Sequence, residues 1–159
     1  MKVYLASMFS DKDRVKARGL ELQALGIECT SRWADEKVPH NVTIKDLPTA
    51  YHEETAVADL EDILKADKIV LTVPEPQLLV DATVSSSSRG GRHFESGFAY
   101  GLIVAQMLDG GRPTRELIVL GKQENVFHYL TGQGITSRYP AIRIIETWTE
   151  VKQYLSIVA

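Results

Sequence analysis

Polar and apolar positions change period along this chain, and each change marks an element. Residues 3–6 form a short β-rich run closed by Ser7. Residues 11–25 then show helical spacing, with Val15, Leu20, Leu22 and Leu25 apolar and Lys12, Arg14, Lys16 and Arg18 between them. Ser10 or Asp11 is placed to cap this helix, because a short side-chain oxygen accepts a free backbone N–H there. Gly26 is placed to end it, as a residue that tolerates positive φ. Residues 27–30 predict a second strand, and the polar stretch 32–49, with Pro39 and Pro48, predicts an irregular segment. Residues 51–66 predict a second helix with Val57, Leu60, Ile63 and Leu64 on one side. The run 68–73 is apolar without alternation at its centre and ends at Pro74, which suits a strand covered on both faces. Residues 74–91 read as a long loop, 93–108 as a third helix, 116–120 as a fourth strand ended by Gly121, and 122–134 as a loop with a short helical turn. Residues 142–145 predict a fifth strand and 148–157 a closing helix capped by Thr147.

This alternation predicts an α/β fold: a single doubly wound, flavodoxin- or Rossmann-like domain with a five-stranded parallel sheet flanked by helices. No repeat or linker divides the chain, so residues 1–159 read as one domain, long enough to bury a real core. Ligands in such folds bind outside the C-terminal ends of the strands. Segments 7–11, 32–40, 74–95 and 121–130 are therefore expected to converge.

Composition narrows the chemistry. A net charge of −3 supplies no basic excess for a nucleic acid backbone, so small building blocks are expected rather than polymers. The single cysteine, Cys29, excludes an intrachain disulfide or a Cys-based zinc site and reads as core filler. His40, His52, His93 and His128 are too scattered for a metal-ligand spacing. No apolar run reaches the length of a membrane span. The first apolar run is too short for a signal peptide, so a cytoplasmic protein without membrane partners is expected.

The sharpest feature is Arg89-Gly90-Gly91-Arg92-His93-Phe94-Glu95-Ser96-Gly97-Phe98-Ala99-Tyr100-Gly101. A glycine-rich segment runs into a helix N-terminus, where free N–H groups and the helix dipole favour an anion, and Arg89 and Arg92 add positive charge. Glu95 is expected in the first turn, beside the sheet edge, although a first-turn Glu also simply complements the dipole. Gly97 and Gly101 share a face and would let this helix lie close to a neighbour. The segment is not a Walker loop, for no Gly-Lys-Ser/Thr follows, and Ser7-Met8-Phe9-Ser10 after the first strand is no dinucleotide fingerprint.

Over nearly its whole length the chain resembles the nucleoside 2-deoxyribosyltransferase family, with its relatives the 2′-deoxynucleoside 5′-phosphate N-hydrolases and cytidylate N-glycosidases. Val3-Tyr4-Leu5-Ala6-Ser7-Met8-Phe9-Ser10 resembles the family's first strand and following loop. Asp59-Leu60-Glu61-Asp62-Ile63-Leu64-Lys65-Ala66-Asp67 is similar to its Asp-bearing helix, and Gly90 through Ala99 to the segment that holds its nucleophilic Glu. Gly121-Lys122-Gln123-Glu124-Asn125-Val126-Phe127-His128 looks like the loop from which an Asn reaches a neighbouring subunit's site.

The resemblance implies an enzyme that cleaves or transfers the N-glycosidic bond of (deoxy)nucleosides through a glycosyl-enzyme on Glu95. Asp59 would be the acid that holds or protonates the base, and Tyr4 would orient the nucleophile; a strand aromatic in the core is the plainer reading of Tyr4. Substrate contacts would come from Ser7, Phe9, Trp33, Ser87, Ser88, Arg89, Gly90, Gly91, Arg92 and Asn125, with Trp33 stacking on the base or serving the core or a lid. No metal or organic cofactor is implied. A homodimer or higher homo-oligomer is. Many transferases carry an acid six positions before the nucleophile, where Arg89 stands; Arg89 with Ser87 and Ser88 would suit a 5′-phosphate. The loop after the first strand, however, lacks the glycine- and arginine-rich phosphate loop of the nucleotide hydrolases. A nucleoside transferase and a nucleoside 5′-monophosphate N-glycosidase both stay open, as does a non-catalytic nucleotide-binding module on the same fold. A receiver domain is disfavoured, because Ala6-Ser7-Met8 and Val73-Pro74-Glu75 stand where its acids belong.

Overall fold

The computed structural model describes residues 1–36, 46–72, 90–123, 126–132 and 138–159. Its five strands are β1 (Lys2–Ala6), β2 (Glu28–Cys29), β3 (Lys68–Thr72), β4 (Glu116–Leu120) and β5 (Arg143–Ile145). All pair in parallel in the order β2-β1-β3-β4-β5. The helices are α1 (Lys12–Ala24), α2 (Thr49–Lys65), α3 (Gly90–Leu108) and α4 (Trp148–Val158). Helix α1 meets α4 through Glu21, which accepts from Trp148 and pairs with Lys152, while α2 packs beside α3. The sheet is thus doubly wound, and the chain reverses direction across it between β1 and β3.

The central strands β1, β3 and β4 share one burial pattern, a half-buried first residue followed by four buried ones. Val3, Leu5, Val70 and Ile118 make one side of the core and Tyr4, Ile69, Leu71 and Val119 the other. At the opposite end of the sheet from the strand tips, Glu116 accepts from Lys68, Arg143 and Tyr154 and ties three elements together.

Several expected boundaries shift for identifiable reasons. Strand β2 pairs over Glu28 and Cys29 alone, because beyond it the Ser31 hydroxyl replaces the ladder: it accepts from Leu5 N–H at 2.6 Å and donates to the Leu5 carbonyl at 3.3 Å. Asp11 stands before α1 but makes no capping bond; its buried carboxylate is taken by Ser7 and Arg14 instead. Gly26 does end the helix, at φ +75°. In α1 and α2 the apolar stripe is narrower than the periodicity implies. Leu20, Leu25, Val57 and Leu64 are exposed. On α2 the buried partner of Ile63 is Asp62, held by the Arg32 guanidinium and backbone N–H from a short 3-10 turn over Arg32–Asp35.

Helix α3 begins at Gly90, not after the glycine pair, so Glu95 lies in the second turn. Glycine costs about 1 kcal/mol in a helix interior and less where the N–H groups are free anyway, so the pair is absorbed rather than left as a turn. Another 3-10 turn covers Val126–Tyr129, within the expected loop, and Thr147 caps α4 in a reciprocal box with Glu150. No helix among the described residues is long and apolar enough to cross a membrane.

Candidate active site

Tyr4 sits in the middle of β1, registered with Ile69 of β3 on the side covered by α2 and α3. Its ring is completely buried. Burial first, then the negative charges of Glu95 and Asp59, push its hydroxyl far above the ordinary tyrosine range. One tyrosine from the sheet therefore meets one carboxyl from each of two helices.

Both carboxyls are perturbed in the same direction. Burial is the main cause that raises Glu95 to about 8; Asp59 adds to it, and the Tyr4 hydroxyl, acting as a donor, offsets part of it. Asp59 is raised to about 7, again mainly by burial, with Glu36 and Asp62 adding and Arg32 opposing. Tyr4 Oη and Glu95 Oε2 are both buried, and neither meets full hydrogen-bond geometry with a partner among the described residues. The hydroxyl is thus near enough to act on the charge of Glu95 without a formed bond. Two carboxyls poised around neutrality keep protons over the pH range where most carboxyls have lost theirs.

The rim at the ends of β1 and β3 is polar and highly ordered by charge. The Ser7 hydroxyl donates to Asp11 at 2.7 Å, and Asp11 pairs with Arg14 at 2.8 Å. At the tip of β3, Arg18 reaches the Thr72 hydroxyl at 3.1 Å, and the buried Arg92 approaches the Thr72 carbonyl at 3.5 Å. Two guanidiniums, one from each face of the sheet, therefore flank Thr72. Burial of Arg92 puts positive charge one helical turn from Glu95 on the same helix.

The structure brings together Tyr4, Asp59 and Glu95, which lie far apart in sequence, and sets Ser7, Gly90, Gly91 and Arg92 at the same sheet edge. Phe9 is partly buried beside the core, with the Lys12 ammonium 5.2 Å from its ring centre. Trp33 is only 6% exposed, and its indole N–H donates to the Leu5 carbonyl at 3.0 Å. That is a core position beneath the site, the second of the two roles its sequence context allowed. Ser87, Ser88, Arg89 and Asn125 lie outside the described residues.

Sequence reasoning passed over Glu36, Asp62, Asp11 and the Arg18–Thr72 contact. Glu36 accepts from Tyr51 at 3.0 Å and raises Asp59 from a segment with no periodicity to mark it. Asp62 was legible only as part of an acidic run on α2. It shares a helical face with Asp59, three residues earlier, and its burial depends on Arg32, thirty residues away in the chain. Among the described residues no three His, Cys, Asp or Glu side chains are grouped to hold a metal ion.

The sequence matches no family model and no curated protein. Its fold does recur in solved structures. A conserved protein from Enterococcus faecalis aligns over 100% of this chain and 99% of its own, at 12% identity and a TM-score of 0.57. A 2-deoxyribosyltransferase from Bacillus psychrosaccharolyticus aligns over 97% of this chain and 92% of its own, at 21% identity and a TM-score of 0.56. A CMP N-glycosidase from Clostridium botulinum aligns over 98% of each chain, at 18% identity and a TM-score of 0.52. At these identities the likeness establishes a common fold.

Proposed function

We propose that this protein is an enzyme that cleaves or exchanges the N-glycosidic bond of (deoxy)nucleosides or their 5′-monophosphates. The observation that carries the reading is the meeting of Glu95 and Asp59 over Tyr4, both carboxyls held near neutrality by burial. The shared fold supports it, since a 2-deoxyribosyltransferase and a CMP N-glycosidase are built the same way.

In this reading Glu95 attacks the anomeric carbon. The bond from that carbon to the base nitrogen breaks, its electron pair goes to the base, and a carboxylate–sugar ester forms. The transition state carries positive charge on the sugar, which an anion in a dry site stabilises more than water does. The reactive form has Glu95 ionised and Asp59 protonated; with Glu95 raised to about 8 and Asp59 to about 7 it is a minority form of the empty site, and in it Asp59 delivers its proton to the departing base. Water or a second base then attacks the anomeric carbon and frees Glu95, giving hydrolysis or exchange. Tyr4 orients Glu95 and tempers its rise in pKa. Ser7, Phe9, Gly90, Gly91 and Arg92, with Ser87, Ser88, Arg89 and Asn125, are the proposed substrate contacts; Trp33 supports them from the core. The working molecule is a cytoplasmic homo-oligomer.

Arg18 and Arg92 on either side of Thr72 favour a 5′-monophosphate as substrate, because a buried guanidinium at a strand tip is a ready partner for phosphate. The deciding experiment is a chromatographic assay for free base. The protein is incubated with deoxy- and ribonucleosides and their 5′-monophosphates, with and without a second base, beside a Glu95→Ala control. Base release abolished in the control supports the proposal, and new nucleoside formed only with added base identifies exchange. No release from any substrate by folded protein sinks it in favour of a binding module.

A further inference from the structure

The 3-10 turn over Arg32–Asp35, with Glu36 closing it, joins the strand that carries Tyr4 to the helix that carries Asp59. Toward the sheet it is fastened to the residue after Tyr4. The Ser31 hydroxyl accepts from the Leu5 N–H at 2.6 Å and donates to the Leu5 carbonyl at 3.3 Å, and the Trp33 indole N–H donates to that carbonyl at 3.0 Å. Toward α2 it is fastened at two levels. The Arg32 guanidinium donates to Asp62 at 2.8 Å, to the Ala58 carbonyl at 3.1 Å and to Glu61 at 3.2 Å. At the other level, Glu36 accepts from the Tyr51 hydroxyl at 3.0 Å. Tyr51, Thr55 and Asp59 are four residues apart and all half-buried, and with buried Asp62 they form the inner face of α2. Asp59 therefore lies between the two points at which the turn grips its helix.

The turn brings one charge of each sign to that place, and they are not equally effective. Arg32 shares its single charge between Asp62 and Glu61, and its side chain is 56% exposed, so water screens what is left. Lys65 lies 3.7 Å from the same two acids and is half-exposed. Glu36 is half-buried, and among the described residues its hydrogen-bond partner is an uncharged hydroxyl, so its charge is not cancelled where it stands.

We propose that Glu36 is a positioning residue of the reaction: held by Tyr51 on the anchored 31–36 turn, its carboxylate keeps the proton on Asp59 while Glu95 gives its own up. This rests on the reading of Asp59 as the proton donor. Burial is the main cause that raises Asp59 to about 7; Glu36 is the next, ahead of Asp62, and Arg32 opposes them. Glu95 of α3 and Tyr4 of β1 both feel the charge of Asp59, but Glu95 is set by burial, Asp59 and Tyr4, with no part from Glu36. Glu36 thus moves one carboxyl relative to the other. The reactive form needs Asp59 protonated and Glu95 ionised, so a group that raises Asp59 alone enriches that form. Each tenfold rise in the acid strength of Asp59 relative to Glu95 would deplete it about tenfold.

The test joins a titration to a rate. Glu36→Gln removes the charge and keeps an oxygen for the Tyr51 hydroxyl, so the fold is not put at risk. In NMR of the carboxyl-labelled full-length protein, Asp59 should then lose its proton at lower pH while Glu95 titrates as before or slightly lower. The value of kcat/KM for base release should fall by about two- to tenfold at its optimum, and the acidic limb of its pH profile should move down with Asp59. Glu36→Asp restores the charge and should recover most of both effects. Tyr51→Phe frees the carboxylate and should move Asp59 the same way by less. The titration needs no substrate, which separates two failures. An Asp59 titration unmoved by Glu36→Gln, or not recovered by Glu36→Asp, overturns this role and leaves the reaction standing. No base release from any substrate overturns the reaction and this role with it.

Discussion

Asp59, on α2, adds its charge to the larger effect of burial to hold Glu95, on α3, at a pKa of about 8. The relationship runs between two helices on the same face of the sheet, and it makes the ionisation of Glu95 a probe of the presence of Asp59.

Removing Asp59 should therefore lower the pKa of Glu95. Asp59→Asn is expected to move the Glu95 titration, followed by NMR of a carboxyl-labelled sample, to lower pH. Loss of the proposed proton donor should also slow base release by about 10²–10³-fold. An unmoved titration would show that burial acts alone.

Tyr4→Phe should act in the opposite sense. The hydroxyl lowers the pKa of Glu95, so its loss should carry that pKa, and the matching limb of the pH–rate profile, upward. Stability should change by less than about 1 kcal/mol, since the buried hydroxyl has no fully formed bond to lose. Thermal melting and the pH profile measured on one preparation separate the two effects.

The raised carboxyls also set how stability varies with pH. Glu95 at about 8 and Asp59 at about 7 lie above their unfolded values of 4.5 and 3.8. Between those limits the folded protein holds more protons than the unfolded chain, so this contribution is whole below about pH 4 and is lost as pH rises through 7 and 8. The melting temperature should fall between pH 6 and pH 8.5. Glu95→Gln should flatten the fall and melt roughly 5 °C above wild type at pH 8.5. A wild-type curve flat over that range would contradict the shifts.

Glu95→Ala, beyond its use as a control, fixes a magnitude. Loss of the proposed nucleophile should reduce base release by about 10³-fold or more, while binding of a non-cleavable nucleoside analogue, measured by calorimetry, stays within about tenfold.

Ser31→Ala tests the edge of the sheet. Its hydroxyl serves both the N–H and the carbonyl of Leu5 in place of a β2 residue. Its loss leaves a buried N–H without a partner, which costs about 1–3 kcal/mol and should lower the melting temperature by roughly 3–9 °C.

What the sequence determined by itself was the alternation of elements and hence the doubly wound sheet. Runs such as residues 69–71 and 117–120 are apolar at every position, which suits a strand covered on both faces. Glu95, Asp59 and Tyr4 were singled out by resemblance to a known family, not by composition or periodicity. Long-range contacts changed two local details: Ser31 ended β2 early, and Arg32 allowed Asp62 to be buried on α2. The tertiary structure alone decided that Glu36 and Asp62 would act on Asp59, that Trp33 would spend its indole N–H on Leu5, and that two arginines would meet at Thr72. It alone decided the ionisation of the site as well. A carboxyl's pKa depends on the water excluded from around it and on the charges brought near it in space, and neither is a property of its neighbours along the chain.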